Sequence, residues 1–140
     1  MEDIDIQHYL PHREPMLMVD SILEIGEGKV VTSFKILENN IFLHNNRFAE
    51  IGLIENMAQT CSAIVGQDIF ENSEAQTRVI GFITNIKKIN IFKTIAVNEV
   101  IITKAELISQ FGDICNINSK TFHNDELIAE GEINLTRCAF

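Results

Sequence analysis

Glu55 and Gln59 stand four residues apart in the run Gly52-Leu53-Ile54-Glu55-Asn56-Met57-Ala58-Gln59. On a helix that spacing puts a carboxylate and a carboxamide on one face. Gly52, one turn earlier, lies near the same face and permits close approach to the backbone. Most of the remaining surface is apolar (Met57, Ala58, Cys61, Ala63, Ile64 and Val65), so the helix is predicted to be buried. A carboxylate there needs a partner or a task, because a buried unpaired charge is strongly unfavourable. Proton transfer is the task such a group can perform.

The elements that must hold this pair follow from the hydrophobic pattern. Phe48 to about Ile69 reads as one long helix, with Asn46 as its N-cap. Before it, Ile4–Leu10 reads as a short helix stopped by Pro11, and Met16–Ile25 and Lys29–Leu37 as strands joined at Gly26-Glu27-Gly28. Residues 38–47 form an Asn-rich loop. After a polar loop at Glu71–Gln76, four stretches rich in β-branched residues read as strands: Val79–Phe92, Val97–Gln110, Asp113–Phe122 and Glu126–Thr136. The class is α+β, a sheet of about five to six strands wrapped around one long helix, in a single domain spanning residues 1–140.

Charge and composition narrow the function. A net charge of -9 argues against a nucleic-acid partner, which calls for a basic face. The apolar runs are short and broken, so no membrane span is expected. The acidic start Met1-Glu2-Asp3-Ile4-Asp5 lacks the features of a signal peptide, and a cytoplasmic location is expected. Cys61, Cys115 and Cys138 fit neither a disulfide framework nor a zinc motif, and they are expected to be buried or semi-buried free thiols. No metal or other cofactor is expected.

Two motifs carry a resemblance. Leu10-Pro11-His12-Arg13-Glu14-Pro15-Met16-Leu17-Met18-Val19-Asp20 resembles LPHRYPFLLVD, the N-terminal signature of β-hydroxyacyl-[acyl-carrier-protein] dehydratases. Phe48-Ala49-Glu50-Ile51-Gly52-Leu53-Ile54-Glu55-Asn56-Met57-Ala58-Gln59 is similar to the opening of that family's central helix, FPGVLILEAMAQ. Within the family, the chain looks closer to the divergent dehydratases of aryl-polyene and flexirubin-type pigment pathways. The resemblance implies a hot-dog fold, dimerisation by joining two sheets, and active sites at the subunit interface.

It also implies a reaction. Elimination of water from a 3-hydroxyacyl thioester needs a polarised carbonyl, a base for the C2 proton and an acid for the C3 hydroxyl. Glu55 matches the family's helical carboxylate, and Gln59 matches the Gln that would orient it. Backbone amides at Ile51 and Gly52 are the implied carbonyl-binding pair. The family base sits in a G-H-F-P-G stretch, and here the corresponding loop has neither Pro nor Gly. His44 is its only histidine and hence the candidate base. His12, in the Pro-His-Arg element, is a substrate-side residue and the competing base. His8 and His123 are expected to face solvent.

The implied substrate is a 3-hydroxyacyl group on acyl carrier protein or CoA. Arg47, Arg78, Lys87, Lys88 and Lys93 are the richest basic concentration and the candidate docking patch for an acidic carrier. Two alternatives share the fold: a thioesterase in which Glu55 activates water, and a non-catalytic acyl-binding partner of a heterodimeric dehydratase. A homodimer or higher hot-dog oligomer is expected, with a heterodimer as the variant.

Overall fold

Val30, Thr32 and Phe34 alternate with Val31, Ser33 and Lys35, and the period-two pattern sends the first set to one face. The same alternation buries Ile101, Thr103 and Ala105, then Cys115, Ile117, Ser119 and Thr121, then Ile133 and Leu135. In the computed structural model, which describes residues 4–66 and 79–139, these stretches form one antiparallel sheet. Its strands are β1 (Ser21–Gly26), β2 (Lys29–Lys35), β5 (Val79–Ile91), β6 (Val100–Phe111), β7 (Ile114–His123) and β8 (Glu126–Ala139), in the order β1-β2-β6-β7-β8-β5. The hairpin turns use residues that tolerate positive φ: Gly28 (71°), Gly112 (61°), and the Asn124–Asp125 pair (50° and 65°).

The long helix α2 (Glu50–Gly66) packs on β2, β5, β6, β7 and β8, so the sheet wraps it as the pattern predicts. The short α1 (Ile6–Tyr9) is capped by Asp5, whose carboxylate accepts from Gln7 N–H at 3.0 Å. It rests on the C-terminal end of α2, where Gly66 leaves room for the Tyr9 backbone that any side chain would displace.

The interior is not uniformly apolar. One cluster (Val30, Met57, Cys61, Ala63, Val65, Ala105 and neighbours) surrounds the later part of α2, and a second (Phe34, Ile36, Phe48, Leu53, Ile95, Ile101) surrounds its start. Between them, Thr32, Thr103 and Thr121 stand in register across three strands, all fully buried. They meet Asn56 and Thr60, two of the buried polar residues of α2. Thr32 shares a hydrogen bond with Thr60 at 2.8 Å, and Thr103 donates to Asn56 Oδ1 at 2.6 Å. A polar stripe therefore fixes the helix on the sheet, both in rotation and in height.

Several element boundaries differ from the sequence reading, among them β6, which starts at Val100 rather than Val97. β1 begins at Ser21 rather than Met16, because Met16 and Met18 are held by α2 side chains, and the backbone meets β2 only from Asp20, whose N–H donates to the Ser33 carbonyl at 2.9 Å. The Asn-rich loop contains a small hairpin, β3 (Leu43–His44) and β4 (Arg47–Phe48), turned by Asn45 and Asn46 at φ of 52° and 61°. Asn46 is thus a turn residue and not the N-cap. The Ala49 carbonyl instead accepts from Gly52 and Leu53 N–H as the helix opens. The expected extension of α2 to Ile69, and the Glu71–Gln76 loop, lie outside the described residues.

Candidate active site on the central helix

Gln59 is fully buried with every polar group engaged. Its Oε1 accepts from Met18 N–H at 2.6 Å, and its Nε2 donates to the Met16 carbonyl at 2.8 Å and to Glu55 Oε1 at 2.9 Å. Asn56 adds a second tie, donating to the Met18 carbonyl at 2.7 Å while Thr103 donates to its Oδ1. The two sequence motifs are therefore one unit in space: α2 carries amide side chains that clamp the Leu10–Asp20 segment. Glu55 lies half-buried on the rim of that clamp.

His12 belongs to the same unit. Burial pushes its imidazole below the ordinary value, the Glu55 carboxylate opposes that shift, and Arg13 adds to it. Its Nδ1 is shut off from solvent with no hydrogen-bond partner among the described residues. Arg13 turns back on the segment, donating to the carbonyls of Leu10 and His12, both at 2.8 Å.

At the start of α2 the expected carbonyl-binding pair separates into two roles. Gly52 N–H donates to the Ala49 carbonyl at 2.9 Å, closing the first turn, so its amide is occupied. The helix offers no acceptor to Ile51 N–H, and the Ile51 side chain is 60% exposed, one turn before Glu55 on the same face. Nor does Gly52 leave space for a visitor from outside. A Cβ there would lie 2.5 Å from Cε1 of Phe48, whose ring is fully buried over it and 5.9 Å from the ring of Phe34.

His44 is exposed on β3 next to the Asn45–Asn46 turn, with Arg47 opposite it in register. Of the remaining histidines, His8 is exposed beside Asp5. His123 departs from expectation: its side chain is 15% exposed and its Nε2 lies 3.0 Å from Glu99. Cys61 and Cys115 are both buried, and burial pushes the Cys61 thiol up to about 12 against the opposing influence of Ser119. The side chain of Cys138 lies outside the described residues.

The basic residues assemble only in part. Arg47 donates to Thr94 Oγ1 and its carbonyl at 3.1 and 2.6 Å, which places it beside Lys93. Lys93 itself pairs with Glu126 at 2.9 Å. Lys87 and Lys88 are exposed farther along β5, with Lys88 at the bulge (φ 46°). Arg78 lies outside the described residues.

Asn56 is the site residue that the sequence reading passed over. A buried Asn one position after the candidate acid, at helical spacing with Thr60, was the available signal.

A single long helix wrapped by an antiparallel sheet, with a carboxylate near the helix start, defines a hot-dog protein. The family model for ApeP-like dehydratases matches residues 4–139, and the chain belongs to that family. It is 30% identical over 135 residues to the 3-hydroxyacyl-[acyl-carrier-protein] dehydratase FabZ of Caldicellulosiruptor saccharolyticus, covering 91% of this chain and 92% of the relative. To the FabZ of Listeria monocytogenes it is 29% identical over 134 residues, covering 91% and 90%. Among solved structures, the dehydratase heterocomplex ApeI:P from Xenorhabdus doucetiae matches with a TM-score of 0.87 at 17% identity, over 98% of this chain and 93% of that one. A hypothetical thioesterase with coenzyme A from Streptococcus pneumoniae matches at 0.67 and 15% identity, over 84% of each. Among the described residues, no helix is long and apolar enough to cross a membrane.

Proposed function

We propose that this chain dehydrates 3-hydroxyacyl groups carried as thioesters on acyl carrier protein, giving the trans-2-enoyl thioester. The observation that carries the reading is Glu55, held half-buried by Gln59 on a helix that matches the dehydratase family. Glu55 delivers a proton to the departing C3 hydroxyl, and a base removes the proton at C2. The Ile51 amide, at the positive end of the α2 dipole, polarises the thioester carbonyl. His44, exposed on its hairpin, is the base that a second subunit brings to Glu55.

The sheet offers a place for that subunit. β5 is an edge strand with Phe82, Ile83 and Ile86 between 41% and 48% exposed, an apolar edge suited to pairing with another strand. A second reading is a heteromer in which this chain supplies the carboxylate and a related subunit supplies the histidine. The occupied Gly52 amide and the tight Asn45–Asn46 turn beside His44 favour it. The heteromeric neighbour from Xenorhabdus doucetiae is a precedent for the arrangement.

Incubation of the protein with a 3-hydroxyacyl carrier protein, followed by mass spectrometry, tests the proposal. Loss of one water is the expected result. A free acid would assign a thioesterase instead, and an unchanged substrate would assign the partner-subunit role.

A further inference from the structure

Thr103 and Thr121 are fully buried with their hydroxyls 2.8 Å apart, where two valines would fill the same space. Such a pair adds little to stability once its lost hydration is counted. What it supplies is direction. The Met18 carbonyl can only accept, so it fixes Asn56 with Nδ2 toward it at 2.7 Å and Oδ1 toward Thr103. That Oδ1 takes the one hydroxyl proton of Thr103, at 2.6 Å, so Thr121 is the donor between the two hydroxyls. Met18 N–H can only donate, which fixes Gln59 with Oε1 toward it and Nε2 toward the Met16 carbonyl and Glu55 Oε1. A chain of contacts thus runs from Thr121 through Thr103, Asn56, Met18 and Gln59 to Glu55. It delivers an N–H to Glu55 Oε1, so a proton on this carboxyl belongs on Oε2.

We propose that Thr103 and Asn56 are positioning residues for Glu55, acting through Met18 and Gln59. Without Asn56, the Met18 backbone keeps only its bond to Gln59, and the two can shift together with the carboxylate they orient. Asn56 stands where the dehydratase signature FPGVLILEAMAQ has Ala, so this link departs from that signature. The effect on turnover rests on the dehydratase reading, whereas the link from Thr103 to Gln59 does not.

Two measurements on the full-length protein test it, with Thr32 as the comparison. Thr32 is equally buried and stands beside Thr103 in register, but it reaches α2 through Thr60, whose hydroxyl bonds the Asn56 backbone carbonyl rather than the side-chain amide. By NMR hydrogen exchange, Thr103→Val and Asn56→Ala should each speed exchange of Met18 N–H about tenfold or more relative to Thr32→Val. Equal exchange in the three variants would overturn the link, whatever the activity. In steady-state dehydration, Thr103→Val and Asn56→Ala should each lower kcat about tenfold with KM within about twofold. Thr103→Ser should restore most of the loss, and Thr32→Val should stay within about twofold of wild type. Equal kcat in Thr32→Val and Thr103→Val, or no rescue by Thr103→Ser, would overturn the positioning role. If the wild type shows no turnover, or Glu55→Gln keeps all of it, the dehydratase reading fails, and hydrogen exchange still decides the link.

Discussion

Gln59 Nε2 lies 2.9 Å from Glu55 Oε1, and the same nitrogen reaches the Met16 carbonyl at 2.8 Å, so the candidate acid is oriented by the group that anchors the N-terminal motif. Replacement by Leu would remove both bonds and strand Met18 N–H, now bonded at 2.6 Å, in a buried position. Gln59→Leu is expected to lower stability by about 2–4 kcal/mol. Urea unfolding measures the loss, and dehydration kinetics should show a fall in kcat along with it.

Gly52 and Phe48 are packed face to face, with no room for another methyl group between them. Gly52→Ala should cost about 1–3 kcal/mol through overpacking. Combining it with Phe48→Leu should cost less than the sum of the two single changes, because the smaller side chain relieves the clash. Thermal unfolding of the four proteins in the cycle measures this directly.

The pairing of Glu55 with Gln59 was legible in the sequence, because i,i+4 spacing survives any register of the surrounding sheet. The strand pattern was equally plain wherever β-branched residues alternate, as from Val100 to Ala105. What stayed hidden depends on contacts distant in sequence. Met16–Met18 resembles a strand in composition, yet the Met16 and Met18 carbonyls and the Met18 N–H go to Asn56 and Gln59, and the Met16 and Leu17 N–H groups to the Arg13 carbonyl. The Asn45–Asn46 hairpin has strands of two residues each, too short to leave a periodic trace. Gly52 permits close approach to the backbone in the sequence, and only the packing reveals Phe48 in that space. The basic residues gave no hint of which would be engaged, and Lys93 turns out to be paired with Glu126.

Stability should depend on pH through His12. Its folded-state value is lowered from 6.5, chiefly by burial, so below 6.5 the unfolded chain binds this proton more readily than the folded one. Stability from this group is complete above 6.5 and is lost as pH falls through that value toward the lower folded one. Urea midpoints at about pH 7.5 and about pH 5 should therefore differ less in His12→Gln than in the wild type. The other titrating groups contribute to both proteins and drop out of the comparison.

Lys87 and Lys88, both exposed on β5, provide the test of carrier docking. Reversing both to Glu should raise KM for a carrier-bound substrate, more so at low salt, and spare a short soluble thioester. Equal loss on the two substrates would place these lysines outside the docking surface.

The central claim is that the Glu55 carboxyl performs the proton transfer. The most direct measurement is single-turnover conversion of a 3-hydroxyacyl carrier protein by the active assembly, comparing wild type with Glu55→Gln. The amide keeps the shape and can still accept from Gln59, but it cannot exchange the proton. A loss of about a hundredfold or more, with unchanged unfolding behaviour, is the predicted result. Wild-type conversion by Glu55→Gln would contradict the account.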